Sequence, residues 1–158
     1  MNRKNWKTYA FWIGLAEAVG LLAGLLTRSR VELYSLTIIK PPLSPPAIVF
    51  PIVWTILYAL MGIGAARIFL AEESKARTES LRIFLIQLAV NFFWSILFFN
   101  LQAFFVAFVW LVLLFALIVW MILSFREVDT LAARLQIPYL LWVSFAGYLN
   151  FGVWMLNR

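Results

Sequence analysis

The chain has 158 residues, 65% of them hydrophobic and 13% charged, with a formal net charge of +6. A water-soluble domain is about 45–50% apolar and about 25% charged, so this composition excludes water as the natural solvent and points to a bilayer. Without cysteine or histidine there are no disulfides, cysteine nucleophiles or ordinary zinc sites, only Met or Tyr remain as weak haem ligands, and acid–base work falls to carboxylates, Lys or Tyr.

The fold class read from the apolar runs is all-α, an integral membrane bundle of five transmembrane helices in a single domain over 1–158. The spans are placed near 9–27, 47–70, 81–99, 103–125 and 135–156, each close to the roughly 20 residues that cross a hydrocarbon core. Short links make neighbouring helices antiparallel and packed.

The first span follows Arg3, Lys4 and Lys7. It is too long for a signal-peptide core and ends in LLTRSR rather than at a small-residue cleavage site, so it is read as retained. Glu17 lies in mid-span, where a charge costs roughly 2.5–3.5 kcal/mol on insertion scales. It is read as a neutral, hydrogen-bonding acid. Gly20 and Gly24 form a GxxxG pair that permits close helix approach, a short and common motif.

Of the six prolines, all but Pro138 fall within 40–51, in KPPLSPPAIVFP. Proline fixes φ, lacks an N–H and biases its predecessor towards extended geometry. The segment is therefore a stiff, non-helical lid at the mouth of the second span. Ser44 before Pro45 reads as an N-cap with proline in the first turn. That helix end, with Lys40, Arg28 and Arg30, suits a ligand carboxylate; a plain helix start with interfacial basic residues reads equally well.

In the second span Trp54 and Tyr58 share a face at i, i+4. In the third, Gln87, Asn91 and Ser95 make a polar stripe with Trp94 and Phe98 beside it. In the fifth, Trp142 and Ala146 share a face, with Phe145 and Leu149 adjoining and Asn150 further on. Amides in hydrocarbon need partners, so these stripes face the bundle interior, as helix–helix glue or as a ligand wall. Of eight tryptophans, Trp6 and Trp154 fit the membrane interface. Trp54, Trp94 and Trp142 lie deeper, where indoles can stack on a flat aromatic ligand or simply pack.

Basic residues Arg3, Lys4, Lys7, Arg67, Lys75, Arg77, Arg82, Arg126 and Arg134 collect on one side, against Arg28, Arg30, Lys40 and Arg158 on the other. The positive-inside rule then puts the amino terminus in the cytoplasm and the proline loop and carboxyl terminus outside, in a bacterial plasma membrane. Charge of this kind reports membrane orientation and gives no reason to expect nucleic acid.

KPPLSPPAIVFPIVWTILYALMG at 40–62, QLAVNFFWSILFF at 87–99 and PYLLWVSFAGYLNF at 138–151 together resemble the TspO/translocator-protein family of tryptophan-rich sensory proteins, also called peripheral-type benzodiazepine receptors. The resemblance implies a five-helix bundle, usually a homodimer, with a pocket under the first loop for porphyrins such as protoporphyrin IX and, in some members, haem, sterols or drugs. Carried over, the ligand-binding residues are Tyr34, Pro45 and Pro46 in and before the lid, Trp54, Tyr58, Asn91, Trp94, Trp142 and Ala146. Trp54 and Trp142 would be catalytic only where porphyrin is photodegraded. Leu33 and Leu43 stand where the family often has Trp. Phe151 and Met155 replace the Tyr and basic residue of the sterol pattern, which argues against sterol.

Three functions remain open at this point: a tetrapyrrole-binding sensor or carrier, a light-dependent oxidative porphyrin-degrading enzyme, and a non-catalytic scaffold or small transporter. The absence of His favours metal-free porphyrin, as ligand or substrate. No resident cofactor and no metal are expected.

Overall fold

The computed structural model describes residues 5–158; Arg3 and Lys4 lie outside the described residues. The chain is all-helical, and five of its helical stretches are long and apolar enough to cross a membrane. In lipid a helix satisfies its own backbone groups, which is why apolar runs fold this way. The elements are α1 (Asn5–Thr37), α2 (Val49–Leu70), α3 (Lys75–Ser95) continued by a π-helical turn (Ile96–Asn100), α4 (Phe104–Val128), a short α5 (Thr130–Arg134) and α6 (Ile137–Leu156). α1 packs along α2, α3 along α4, and α4 also along α6. The core between them holds Met61, Phe84, Leu114, Ile118, Phe125 and Tyr139, all fully buried.

Three boundaries depart from the sequence reading, each for a local reason. α1 continues past 27 to Thr37. Arg28, Ser29, Arg30 and Glu32 end the apolar run but not the helix, because nothing before Pro41 breaks it. At 33 residues it is about 50 Å long, well beyond a hydrocarbon core of about 30 Å.

α3 begins at Lys75, where Ser74 Oγ accepts from the Arg77 N–H at 3.1 Å. The Arg77 side chain turns back to donate to the Phe69 carbonyl at 2.8 and 3.0 Å, closing the end of α2.

α2 begins at Val49, and Ser44 is not its cap. The Ser44 hydroxyl instead donates to the Pro41 carbonyl at 2.7 Å, across a tight turn in which Leu43 takes φ 67°. Proline followed by a left-handed residue is the type II pattern, and it consumes the group expected to cap the helix. Pro51, in the first turn of α2, sits where its missing N–H costs nothing. Lys40 is likewise engaged: its ammonium donates to the Ser35 carbonyl at 3.3 Å and lies over the Tyr34 ring.

The two glycines of GxxxG part company. Gly20 receives the Tyr58 ring, whose Cδ2 lies 2.5 Å from where a Cβ would stand; Gly24 faces open space. α1 and α2 cross closely because Gly62 meets the α1 backbone, with Ile13 N only 2.7 Å from its absent Cβ.

Asp129 joins the opposite end of the bundle. One carboxylate oxygen accepts from the Ala132 N–H at 2.9 Å, capping α5, and the other meets Arg67 of α2 at 2.7 Å. Burial pushes the carboxyl up, but the Ala132 N–H and the Arg67 guanidinium outweigh it and hold it below the usual carboxylate range. A depressed carboxyl stabilises the fold above its unfolded value near 4 and loses that contribution as pH falls through the lower folded value. Asp129→Asn keeps a capping oxygen and removes the charge, so it is expected to cost about 1 kcal/mol at pH 7. In nanodisc thermal unfolding the gap between wild type and variant should close as pH drops below about 4; a gap constant with pH would show that the ion pair contributes nothing.

Candidate functional site

α2 presents Phe50, Trp54 and Tyr58 at i, i+4, i+8 on one face. Trp54 and Tyr58 are in ring contact at 5.5 Å, and Phe50 meets Trp142 of α6 edge-on at 5.8 Å. This face, with Trp142 and Phe145 from α6, forms an aromatic side of the bundle.

Behind it runs a continuous hydrogen-bonded chain. The Tyr58 hydroxyl donates to Asn91 Oδ1 at 3.0 Å, and Asn91 Nδ2 donates to the Tyr139 oxygen at 2.6 Å. The Tyr139 hydroxyl donates to Gln87 Oε1 at 2.8 Å, and Gln87 Nε2 makes a weak 3.8 Å contact to Met61 Sδ. All four polar residues are buried. Three helices are thus joined through hydroxyl and amide groups that hydrocarbon would otherwise leave unsatisfied. Tyr139 also backs Trp54, ring centres 6.2 Å apart.

The residues anticipated from sequence therefore separate into three groups. Trp54, Tyr58 and Asn91 come together around Tyr139. Trp142 sits beside them, against Phe50 and Phe145, with Ala146 buried one turn further on. Trp94 packs against both core clusters: its indole N–H donates to Asn150 Oδ1 at 3.1 Å, and its ring stacks on Phe98 at 5.3 Å. Asn150 is occupied in turn, donating to the Phe104 carbonyl at 2.8 Å. Tyr34 joins this second cluster through Phe98 and Phe99, each 5.4 Å away. Pro45 is half-buried and Pro46 exposed on the loop. Glu17 is half-buried on α1, three residues before Gly20, where the Tyr58 ring packs.

Sequence reasoning missed Phe50 and Tyr139. Phe50 was detectable as the i−4 neighbour of Trp54. Tyr139 was detectable from the period of α6, since Tyr139, Val143, Ala146, Asn150 and Val153 are its buried positions.

An apolar groove of about 400 Å³ opens between α2 and α6, lined by Val53, Ile56, Leu57, Pro138, Leu141, Trp142 and Phe145. The Trp142 indole N–H on its wall is buried and has no hydrogen-bond partner among the described residues. Buried indole N–H groups ordinarily find an acceptor. The groove thus combines apolar walls with a flat aromatic surface, which suits a planar hydrophobic molecule. Among the described residues no cluster of acidic side chains could hold a metal ion.

Residues 12–155 match the TspO/MBR family. The tryptophan-rich protein TspO of Chlorobaculum tepidum is 40% identical over 151 residues, covering 95% of this chain and 96% of that protein. Protein CrtK of Rhodobacter capsulatus is 40% identical over 119 residues, 75% of this chain and 74% of its own length. The translocator protein of Bos taurus is 33% identical over 141 residues, 88% and 83% of the two chains. With five membrane-spanning helices and these similarities over most of its length, the chain is an integral membrane protein and belongs to the TspO/MBR family.

Proposed function

We propose that this protein binds a metal-free porphyrin from the membrane, as a sensor or carrier, with the macrocycle against Trp142 and one edge towards Phe50 and Trp54. The observation that carries the reading is the apolar groove between α2 and α6, walled by the rings of Trp142 and Phe145. The aromatic ring faces supply stacking area for a flat macrocycle. The positive-inside orientation inferred above places the proline loop outside. Sensing and carrying share this binding step.

Titration of protoporphyrin IX into the folded protein in nanodiscs is expected to quench tryptophan fluorescence and shift the Soret band. Trp142→Ala removes the flat wall, so it should weaken binding about tenfold, the worth of roughly one aromatic stacking contact. Wild type with neither signal, or Trp142→Ala with unchanged affinity, would overturn the proposal.

A further inference from the structure

Four residues of the loop, Ile39 to Pro42, are fastened to one face and the end of α6. The Asn157 side chain reads the Ile39 backbone on both sides: the Ile39 N–H donates to Asn157 Oδ1 at 3.0 Å, and Asn157 Nδ2 donates to the Ile39 carbonyl at 2.8 Å. The same amide nitrogen donates to the Val153 carbonyl at 2.7 Å, which fixes its orientation. Tyr148 donates its hydroxyl to the Pro42 carbonyl at 2.8 Å. Between these two ties the buried Pro41 ring rests on Gly152, close enough that a Cβ there would stand 2.6 Å from Pro41 Cβ.

Beyond Pro42 the loop is held differently. Its Ser44 hydroxyl bonds back to Pro41, and Val49 N–H bonds to the Pro46 carbonyl, both within the loop and its exit into α2. Leu43, Pro46, Ala47 and Ile48 are exposed. The loop is thus tied across to α6 at Ile39–Pro42 and free-standing thereafter. Tyr148 lies six residues beyond Trp142 on α6, about 9 Å along its axis, so the ties sit over the loop end of the groove.

We propose that Asn157, Tyr148 and Gly152 form a clasp that holds the proline loop shut and sets how fast ligand exchanges beneath it. The clasp residues are positioning residues: none lines the groove. Their bonds are accessible to water on the outer surface, so the clasp opens locally without unfolding the bundle. It holds the same loop segment whether the groove is empty or filled. Loosening it therefore speeds entry and exit together and leaves the equilibrium affinity in place, because only a difference in interaction between two states shifts a population.

The test uses the full chain in nanodiscs. In the unliganded protein, hydrogen exchange at the Ile39 amide should accelerate on the order of tenfold in Asn157→Ala, the loss of two ordinary bonds, with exchange in α3 and α4 unchanged. Tyr148→Phe removes a single hydroxyl without disturbing packing and should accelerate the Ile39 amide by a few-fold. Stopped-flow binding of protoporphyrin IX should then show association and dissociation rates rising by similar factors, with the dissociation constant within about twofold of wild type. Unchanged exchange at the loop in both variants would overturn the clasp. Faster exchange with unchanged binding rates would overturn its role in ligand traffic. This second arm rests on the porphyrin reading; absence of porphyrin binding by wild type would sink that reading, while the exchange arm still decides the clasp.

Discussion

Asn91→Leu is expected to destabilise the folded bundle by about 3 kcal/mol, although leucine matches the asparagine in size and suits hydrocarbon better. Asn91 is the one residue bonded to both tyrosines of the interior chain, accepting from Tyr58 and donating to Tyr139. Its removal leaves the buried Tyr58 hydroxyl without an acceptor and takes from Tyr139 its incoming donor. Tyr139 keeps Gln87, so the two losses are unequal and the Tyr58 loss is the larger. An unsatisfied buried polar group costs about 1–3 kcal/mol. An interhelical bond in a membrane averages only about 0.6 kcal/mol, because separated helices also find partners. The orphaned groups therefore dominate over the bonds themselves.

That ranking makes a sharp secondary expectation. Tyr58→Phe in the Asn91→Leu background removes the orphan, so the double variant should be more stable than Asn91→Leu alone by about 1 kcal/mol. Equilibrium unfolding in mixed micelles measures both. A double variant as unstable as the sum of the singles would show that the two residues act separately. Because Tyr58 and Tyr139 flank Trp54, the single variant should also blur the Trp54 environment, read as a change in tryptophan emission.

The interior face of α3 was visible in the sequence because Gln87 and Asn91 are conspicuous in an apolar helix: lipid gives an amide nothing to bond, so its direction is fixed before any coordinates exist. That Tyr139 would be the partner was not visible, although the period of α6 turns it inward. Tyr139 lies 48 residues beyond Asn91, and nothing in its own neighbourhood distinguishes a tyrosine that will donate to an amide from one that will sit at an interface. The bond that Trp94 makes was hidden for the same reason. Its indole donates to Asn150, 56 residues further on, and the helix just beyond it widens into a π turn at Ile96–Asn100. Hydropathy located the five spans but misjudged the length of α1, since it measures preference for solvent whereas a helix ends where the backbone must. Ser44 fell between two local rules. A serine before proline can cap a helix or close a turn, and the left-handed Leu43 beside it decided for the turn.

Glycine substitutions along α1 and α2 should separate into two opposite outcomes, and Gly62→Leu is expected to have the largest effect of any single change outside the polar chain. Any Cβ at 62 would stand 2.7 Å from Ile13 N and 2.8 Å from Trp12 O. These are backbone atoms of a helix, so no side-chain rotation relieves the contact; α1 itself must move. Overpacking a close-packed site costs about 1–3 kcal/mol, and more where the neighbour cannot yield; about 3 kcal/mol or above is expected here. The displacement would also pull Trp12 from its contacts with Phe69 and Phe84, at 5.8 and 5.7 Å. Gly14 and Gly24, on the same α1, have no atom within 4 Å of a Cβ. Gly14→Ala and Gly24→Ala should therefore gain the helix preference of alanine, about 0.5–1 kcal/mol. Thermal unfolding of the three variants in nanodiscs of one composition checks the contrast. Loss of stability at Gly24 comparable to that at Gly62 would mean that a surface left open within this chain is packed against something in the membrane, and the distance between α1 and α2 would no longer explain why glycine is needed at 62.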